Sequence, residues 1–156
     1  MKEVVIYTDG SSKGNPGPGG YGALVTYGKH RRELAEGFLK TTNNRMELLA
    51  AICGLEALKE PCRVTVYSDS KYLVDARLKG WLEGWKKKGW KKSDKTPVKN
   101  IDLWKRLDAA EEGHEITWQW VKGHAGNEMN ELCDELATSA ADGHYGVMKE
   151  DKGFTG

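Results

Sequence analysis

Short runs of β-branched and aromatic residues alternate along this chain with longer stretches whose apolar positions recur every three to four residues. Residues 3–10 (EVVIYTDG) have the composition of a strand. Residues 14–20 (GNPGPGG) read as turn material. Residues 21–28 (YGALVTYG) and 31–40 (RRELAEGFLK) predict two more strands, the second marked by its glycine and charges as an edge or irregular strand. A helix is expected from Asn44 to about Lys59, where Pro61 blocks continuation. Residues 63–69 (RVTVYSD) predict a fourth strand, and residues 70–80 a short helix ended by Gly80. Residues 81–90 continue as a helix with Trp81 and Trp85 one turn apart, followed by a basic loop. Residues 100–113 form a further helix with Asn100 as its expected cap, 114–123 alternate like a strand, and 127–141 form the last helix. From Asp142 onward there is no pattern, and this stretch is expected to be loose. Three strands followed by alternating helices and strands predict an α/β domain over residues 1–141, a mixed sheet with helices on its faces, plus a tail at 142–156.

The composition, 38% hydrophobic and 30% charged over 156 residues, is that of a soluble globular domain. No apolar run approaches the roughly 20 residues of a membrane span. The N-terminus runs directly into a strand without a signal layout, so a cytoplasmic location is expected. The three cysteines, Cys53, Cys62 and Cys133, have neither the number nor the spacing of a zinc site or a disulfide framework. Net charge is only +1, but it is unevenly spread. The window Lys86–Lys99 contains lysines 86, 87, 88, 91, 92, 95 and 99 against one acid, Asp94. Such a block is either a solvated surface or a seat for a polyanion, and the interleaved Trp85 and Trp90 favour the polyanion.

Chemistry enters through a near-repetition. Tyr7-Thr8-Asp9-Gly10 ends the first strand and Tyr67-Ser68-Asp69-Ser70 ends the fourth. Side chains alternate along a strand, so Asp9 shares a face with Tyr7, and Asp69 with Tyr67. Parallel neighbours about 4.8 Å apart would bring the two acids together at the carboxyl ends of their strands, where open α/β sheets bind ligands. Two adjacent carboxylates ionise together only with a cation between them. Glu47 lies on a small-residue face of a helix that is apolar nearly all round, among Ala50, Ala51 and Gly54. It is either a capping-box partner of Asn44 or a metal ligand. Asp134 falls at the boundary of the last helix's apolar stripe, where a surface acid is ordinary. His124, in the glycine-flanked loop VKGHAGN, suits proton transfer near neutral pH. GNPGPGG lacks the Gly-Lys-Ser/Thr of a phosphate loop.

Five motifs in order carry a resemblance: YTDGSSKGNPGPGGYGALV, TTNNRMELLAAICGLEAL, YSDSKYLV, GWKKKGWKKSDKTPVKNIDLW and WVKGHAGNEMNELCDELA. Together, over about residues 3–141, they are similar to type 1 ribonucleases H, specifically the bacterial ribonuclease HI group. The resemblance implies a five-stranded mixed sheet in order 3-2-1-4-5 with helices on both faces. It implies a monomeric Mg²⁺-dependent endonuclease that cuts the RNA strand of RNA–DNA hybrids, with two ions per site and Mn²⁺ able to stand in. Asp9, Glu47, Asp69 and Asp134 would hold the metal, and His124 would sit on the catalytic loop. Asn15 and Thr42 would contact DNA phosphate, and Asn43 and Asn44 the hybrid's minor groove. The basic segment with Trp81, Trp85, Lys86, Lys87, Lys88 and Trp90 would hold the DNA strand. Lys71 stands where many members have Gln, exchanging a donor–acceptor for a donor. Residues Asn127-Glu128-Met129 stand where relatives often have a His-Pro stretch. Two other readings are a catalytically silent hybrid- or duplex-binding module and another nuclease on this fold, such as an integrase or resolvase. The four acids argue against the first, and the basic segment with TTNNRMEL against the second.

Overall fold

In the computed structural model, residues 1–122 and 127–155 are described. The elements are β1 (Lys2–Ser12), β2 (Gly17–Tyr27), β3 (His30–Thr41), α1 (Asn43–Glu56), β4 (Cys62–Ser68), α2 (Lys71–Leu78), α3 (Trp81–Lys87), α4 (Ile101–Glu111), β5 (Glu115–Trp120) and α5 (Glu128–Ala141). They form one five-stranded sheet in the order β3-β2-β1-β4-β5, as the resemblance implied. β1 pairs antiparallel with β2 and parallel with β4. β3, rich in Arg and Glu, lies at one edge, and β5 at the other.

The two faces bury different things. Val4 and Ile6 of β1 and Val64 and Val66 of β4 join α1, α2 and α4 in the larger core, centred on Trp104, Leu48 and Ile52. On the opposite face Leu24 packs with Cys133 and Leu136 of α5, flanked by Tyr7. Cys53 and Cys133 pack among apolar neighbours.

Several boundaries differ from the sequence reading, each for a local reason. β2 begins at Gly17, inside the stretch read as turn. Its glycines belong to the strand because α5 lies directly on it: a Cβ at Gly20 would meet Ala137, Ala140 and Ala141, and one at Gly22 would meet Cys133 and Leu136. The cap of α1 is Thr42, not Asn44; Thr42 Oγ1 accepts from the Arg45 amide at 3.3 Å. α3 stops at Lys87 because Gly89 and Trp90 adopt positive φ of 68° and 65°. Asn100 precedes α4 in a left-handed conformation and makes no side-chain cap; its amide bonds elsewhere instead. The segment after Asp142, expected to be loose, is fastened at two places. Lys149 pairs with the β3 backbone, its amide donating to Gly37 O at 2.9 Å and its carbonyl accepting from Leu39 N at 2.8 Å. Asp151 forms an ion pair with Arg45 at 2.7 Å.

Candidate active site

The parallel pairing of β1 with β4 runs in step from Lys2↔Cys62 to Tyr7↔Tyr67, and the two tyrosine rings stack with centroids 5.2 Å apart. Continued two residues, this register sets Asp9 beside Asp69. Thr8 Oγ1 donates to Tyr67 O at 2.8 Å and ties the strand ends together. Past Asp69 the chain turns at once into α2, capped by Ser70, whose hydroxyl accepts from the Leu73 amide at 3.2 Å.

Glu47 arrives from the other face, on the second turn of α1. With Thr42 as the cap, Glu47 lies beyond the capping-box position, so that explanation of its placement is removed. Gly10 makes the approach possible, since a Cβ there would overlap the Glu47 amide nitrogen. Carboxylate oxygens of Asp9, Glu47 and Asp69 lie within 4.8 Å of one another, with Asp9 3% and Glu47 4% exposed. Asp134, half-buried on α5, reaches this group through Asp9: its carboxyl hydrogen-bonds Asp9 and adds to the repulsion on it.

Burial, the largest cause, together with the charges of Asp69 and Asp134, pushes the Asp9 carboxyl up to about 8, although the Gly10 amide donates to its Oδ1 at 2.9 Å. Glu47 is raised well above the usual range, first by burial and then by Asp9 and Asp69. Glu47 Oε1 is buried without a hydrogen-bond partner among the described residues. An unmade bond of this kind is expensive in a protein interior. A divalent cation held there would supply the missing partner and reverse the repulsion at the same time. A compact set of carboxylate oxygens suits a hard ion such as Mg²⁺ or Mn²⁺.

A cavity of about 820 Å³ lies beside this cluster rather than on it, sharing the first turn of α1. Asn15, Thr42, Asn43 and Asn44 all line it, so the four residues assigned to the nucleic acid by resemblance do come together. Asn15 Oδ1 accepts from Ser12 Oγ at 3.0 Å and from the Asn43 amide at 2.8 Å, which pins the turn before β2 to the start of α1. Lys71 holds its ammonium 4.7 Å from the Trp120 ring centre, and the Trp120 indole donates to the Asp69 carbonyl at 3.1 Å. Lys71 is therefore a cation leaning on the platform that backs Asp69.

Within the basic segment the roles divide. Trp85 packs edge-on against buried Trp104, with centroids 5.3 Å apart, and anchors the segment to the core. Trp81 is 41% exposed with Lys79 over its ring, while Trp90 is half-buried beneath Lys105. Lys86 is paired with Asp108 at 3.1 Å, whereas Lys87 and Lys88 are exposed. His124 lies outside the described residues.

Sequence reasoning passed over Arg45. Its side chain is only 2% exposed and is held by Asp102 and Asp151. An arginine within the apolar run of α1 was the available signal.

The sheet order is that of the RNase H fold. The family profile of RNase H matches residues 1–142. The Ribonuclease H of Proteus mirabilis (strain HI4320) is 60% identical over 153 residues, covering 98% of this chain and 94% of that protein. Among solved structures, LC9-RNase H1, a type 1 RNase H with the type 2 active-site motif, has a TM-score of 0.82 at 35% identity, over 92% of this chain and 74% of that one. LC11-RNase H1, solved in complex with an RNA/DNA hybrid, has a TM-score of 0.69 at 25% identity, over 92% of this chain and 99% of that one. The chain belongs to the RNase H family.

Proposed function

We propose that this enzyme hydrolyses the RNA strand of RNA–DNA hybrids as an endonuclease, leaving 5′-phosphate and 3′-hydroxyl ends. The observation that carries the reading is the convergence, within 4.8 Å, of two buried carboxylates, from β1 and α1, and a half-buried one from the residue that follows β4. Asp9, Glu47 and Asp69 would hold divalent metal, with Asp134 completing the set from α5. When bound, two Mg²⁺ ions would supply Lewis acidity on either side of the scissile phosphate, for the attacking water and for the 3′-oxygen leaving group.

The chain's own residues orient and discriminate. Asn43 and Asn44 would read the minor groove, where the 2′-hydroxyl separates RNA from DNA. Asn15 and Thr42 would take a DNA phosphate, and Lys87 and Lys88 would hold the strand further along. The same group of contacts assigns supporting parts to Lys71, Lys86, Trp81, Trp85 and Trp90. His124 would relay a proton. The hybrid complex of LC11-RNase H1 supports the substrate class. No helix among the described residues is long and apolar enough to cross a membrane.

Incubation with labelled hybrid, duplex DNA and duplex RNA, with and without Mg²⁺, tests this reading. Mg²⁺-dependent cutting of the hybrid's RNA strand alone is expected. Hybrid binding without cleavage would reduce the protein to a binding module, and cleavage of duplex DNA would assign it to another nuclease class.

A further inference from the structure

Arg45 spends every donor it has. Nε and Nη2 donate to the two carboxylate oxygens of Asp151 at 2.7 and 2.9 Å. Nη1 and Nη2 donate to Asp102 at 2.9 and 2.6 Å, and Nη1 also reaches Asn100 Oδ1 at 3.3 Å. Five N–H groups therefore meet partners from two segments far away in sequence. Asp102 and Asn100 stand where the basic segment re-enters the fold as α4, and Asp151 stands in the C-terminal stretch. Asp151 is further held by Thr41 Oγ1 at 2.7 Å. Gly153 passes directly over the clamp, since a Cβ there would overlap Asp102 Oδ2 and crowd Arg45 Nη2.

The segments joined by this guanidinium are the walls of the 820 Å³ cavity. One wall is the start of α1 with Asn15, the second is residues 97–100, and the third is residues 153–155. The first already carries the proposed DNA contacts, and the second is the end of the lysine-rich block. Bidentate arginine–carboxylate pairs fix orientation as well as distance, so a clamp of two such pairs sets the width of the opening.

We propose that the C-terminal residues 153–155 form a third wall of the nucleic-acid surface, facing the sugar-phosphate chain of the DNA strand, and that Arg45 is the positioning residue that holds the three walls at a set separation. This rests on the hybrid-cleavage reading. Its chemistry is that of a strand-width gauge: neither Arg45 nor its carboxylates touch the reacting phosphate, but they decide where the contacts on either side of it stand.

The test uses the full enzyme, a chain ending at Lys152, and two point variants, Gly153→Ala and Arg45→Lys. The truncated chain keeps the clamp and loses only the wall. Gly153→Ala forces the tail and the Asp102 carboxylate apart without removing a charge. In both, KM for the hybrid should rise about tenfold, the scale of one lost charge-assisted contact, while kcat moves less than about twofold. Binding of labelled hybrid, followed by fluorescence anisotropy, should weaken in parallel. Arg45→Lys keeps the charge but serves one carboxylate at a time, and it should raise KM and lower the melting temperature together. Unchanged KM and unchanged anisotropy in folded truncated and Gly153→Ala proteins would overturn the proposal. A wild-type enzyme that neither binds nor cuts hybrid would overturn the functional reading instead, and with it this one.

Discussion

Gly10 lies flush against the backbone of Glu47, so that a methyl group at position 10 would overlap the Glu47 amide nitrogen and the Met46 carbonyl carbon. The contact is backbone against backbone and has nowhere to relax except by moving α1 away from β1. Gly10→Ala should therefore displace Glu47 from Asp9 and Asp69. A misplacement of about 1 Å commonly costs about 100-fold in rate, and overpacking of this kind costs about 1–3 kcal/mol. Steady-state cleavage and thermal melting check both effects, and a variant with wild-type kcat would show that Glu47 is not needed where it stands.

The acid cluster predicts an unusual dependence of stability on pH. The folded Asp9 carboxyl sits at about 8, above its ordinary 3.8. Its neutral form is thus favoured by folding; the stabilisation is full below about pH 4 and is lost as pH rises through about 8. In EDTA the melting temperature should fall across that window, and Asp9→Asn should flatten the fall. Asp9→Asn should also abolish Mg²⁺-dependent cleavage while raising the melting temperature in EDTA at pH 8 by roughly 2–5 °C. Mg²⁺ should stabilise the wild type more at pH 8 than at pH 5, because metal competes with protons for the same oxygens. Cleavage retained by Asp9→Asn would remove Asp9 from the metal set.

The lysines of the basic segment should not be equal. Lys86 is already paired with Asp108 at 3.1 Å, and Lys87 and Lys88 face solvent. Each phosphate contact contributes about 0.9 to the slope of log affinity against log salt. Lys87→Ala with Lys88→Ala should lower that slope by about 1–2 for the hybrid. Lys86→Ala should change it less. Equal slopes in all variants would make the segment ordinary surface.

Glu111 gives a test away from the site. Arg77 Nη2 stands 2.8 Å from its Oε1. Burial, the largest influence, nonetheless outweighs that partner and pushes the carboxyl up to about 7, with Asp108 and Glu83 adding to the rise. Folding therefore favours neutral Glu111, and stability should decline as pH climbs from about 4.5 to about 7. Glu111→Gln should shrink this decline, as read from melting curves at pH 5 and pH 8. An identical decline in the variant would mean that the Arg77 pair keeps Glu111 ionised throughout.

The pairing of Asp9 with Asp69 was legible in the sequence because it depends on local alternation in two strands that end alike. The sheet order came from the resemblance. Glu47 was half legible: its small-residue face was visible, but the rival capping role disappeared only once Thr42 proved to be the cap. Asp134 was not legible from its own helix, since its position depends on how closely α5 lies on the glycines of β2. Those glycines looked like a turn for the same reason: the helix that needs them is more than a hundred residues away. Arg45 and Asp151 were invisible as a pair, because one sits in an apolar helix and the other in a stretch with no periodicity.

Because β1 and β4 run parallel and in step, their two aspartates are placed by counting. Inserting one residue in either strand would slide its acid about 3.3 Å along the sheet and turn it to the opposite face. Lys2 to Asp9 and Cys62 to Asp69 thus behave as two gauge blocks of matched length. The turn at Gly28 and the loop around Asp94 carry no such constraint. Natural or engineered length variants of this enzyme should accumulate there and be absent from the two blocks.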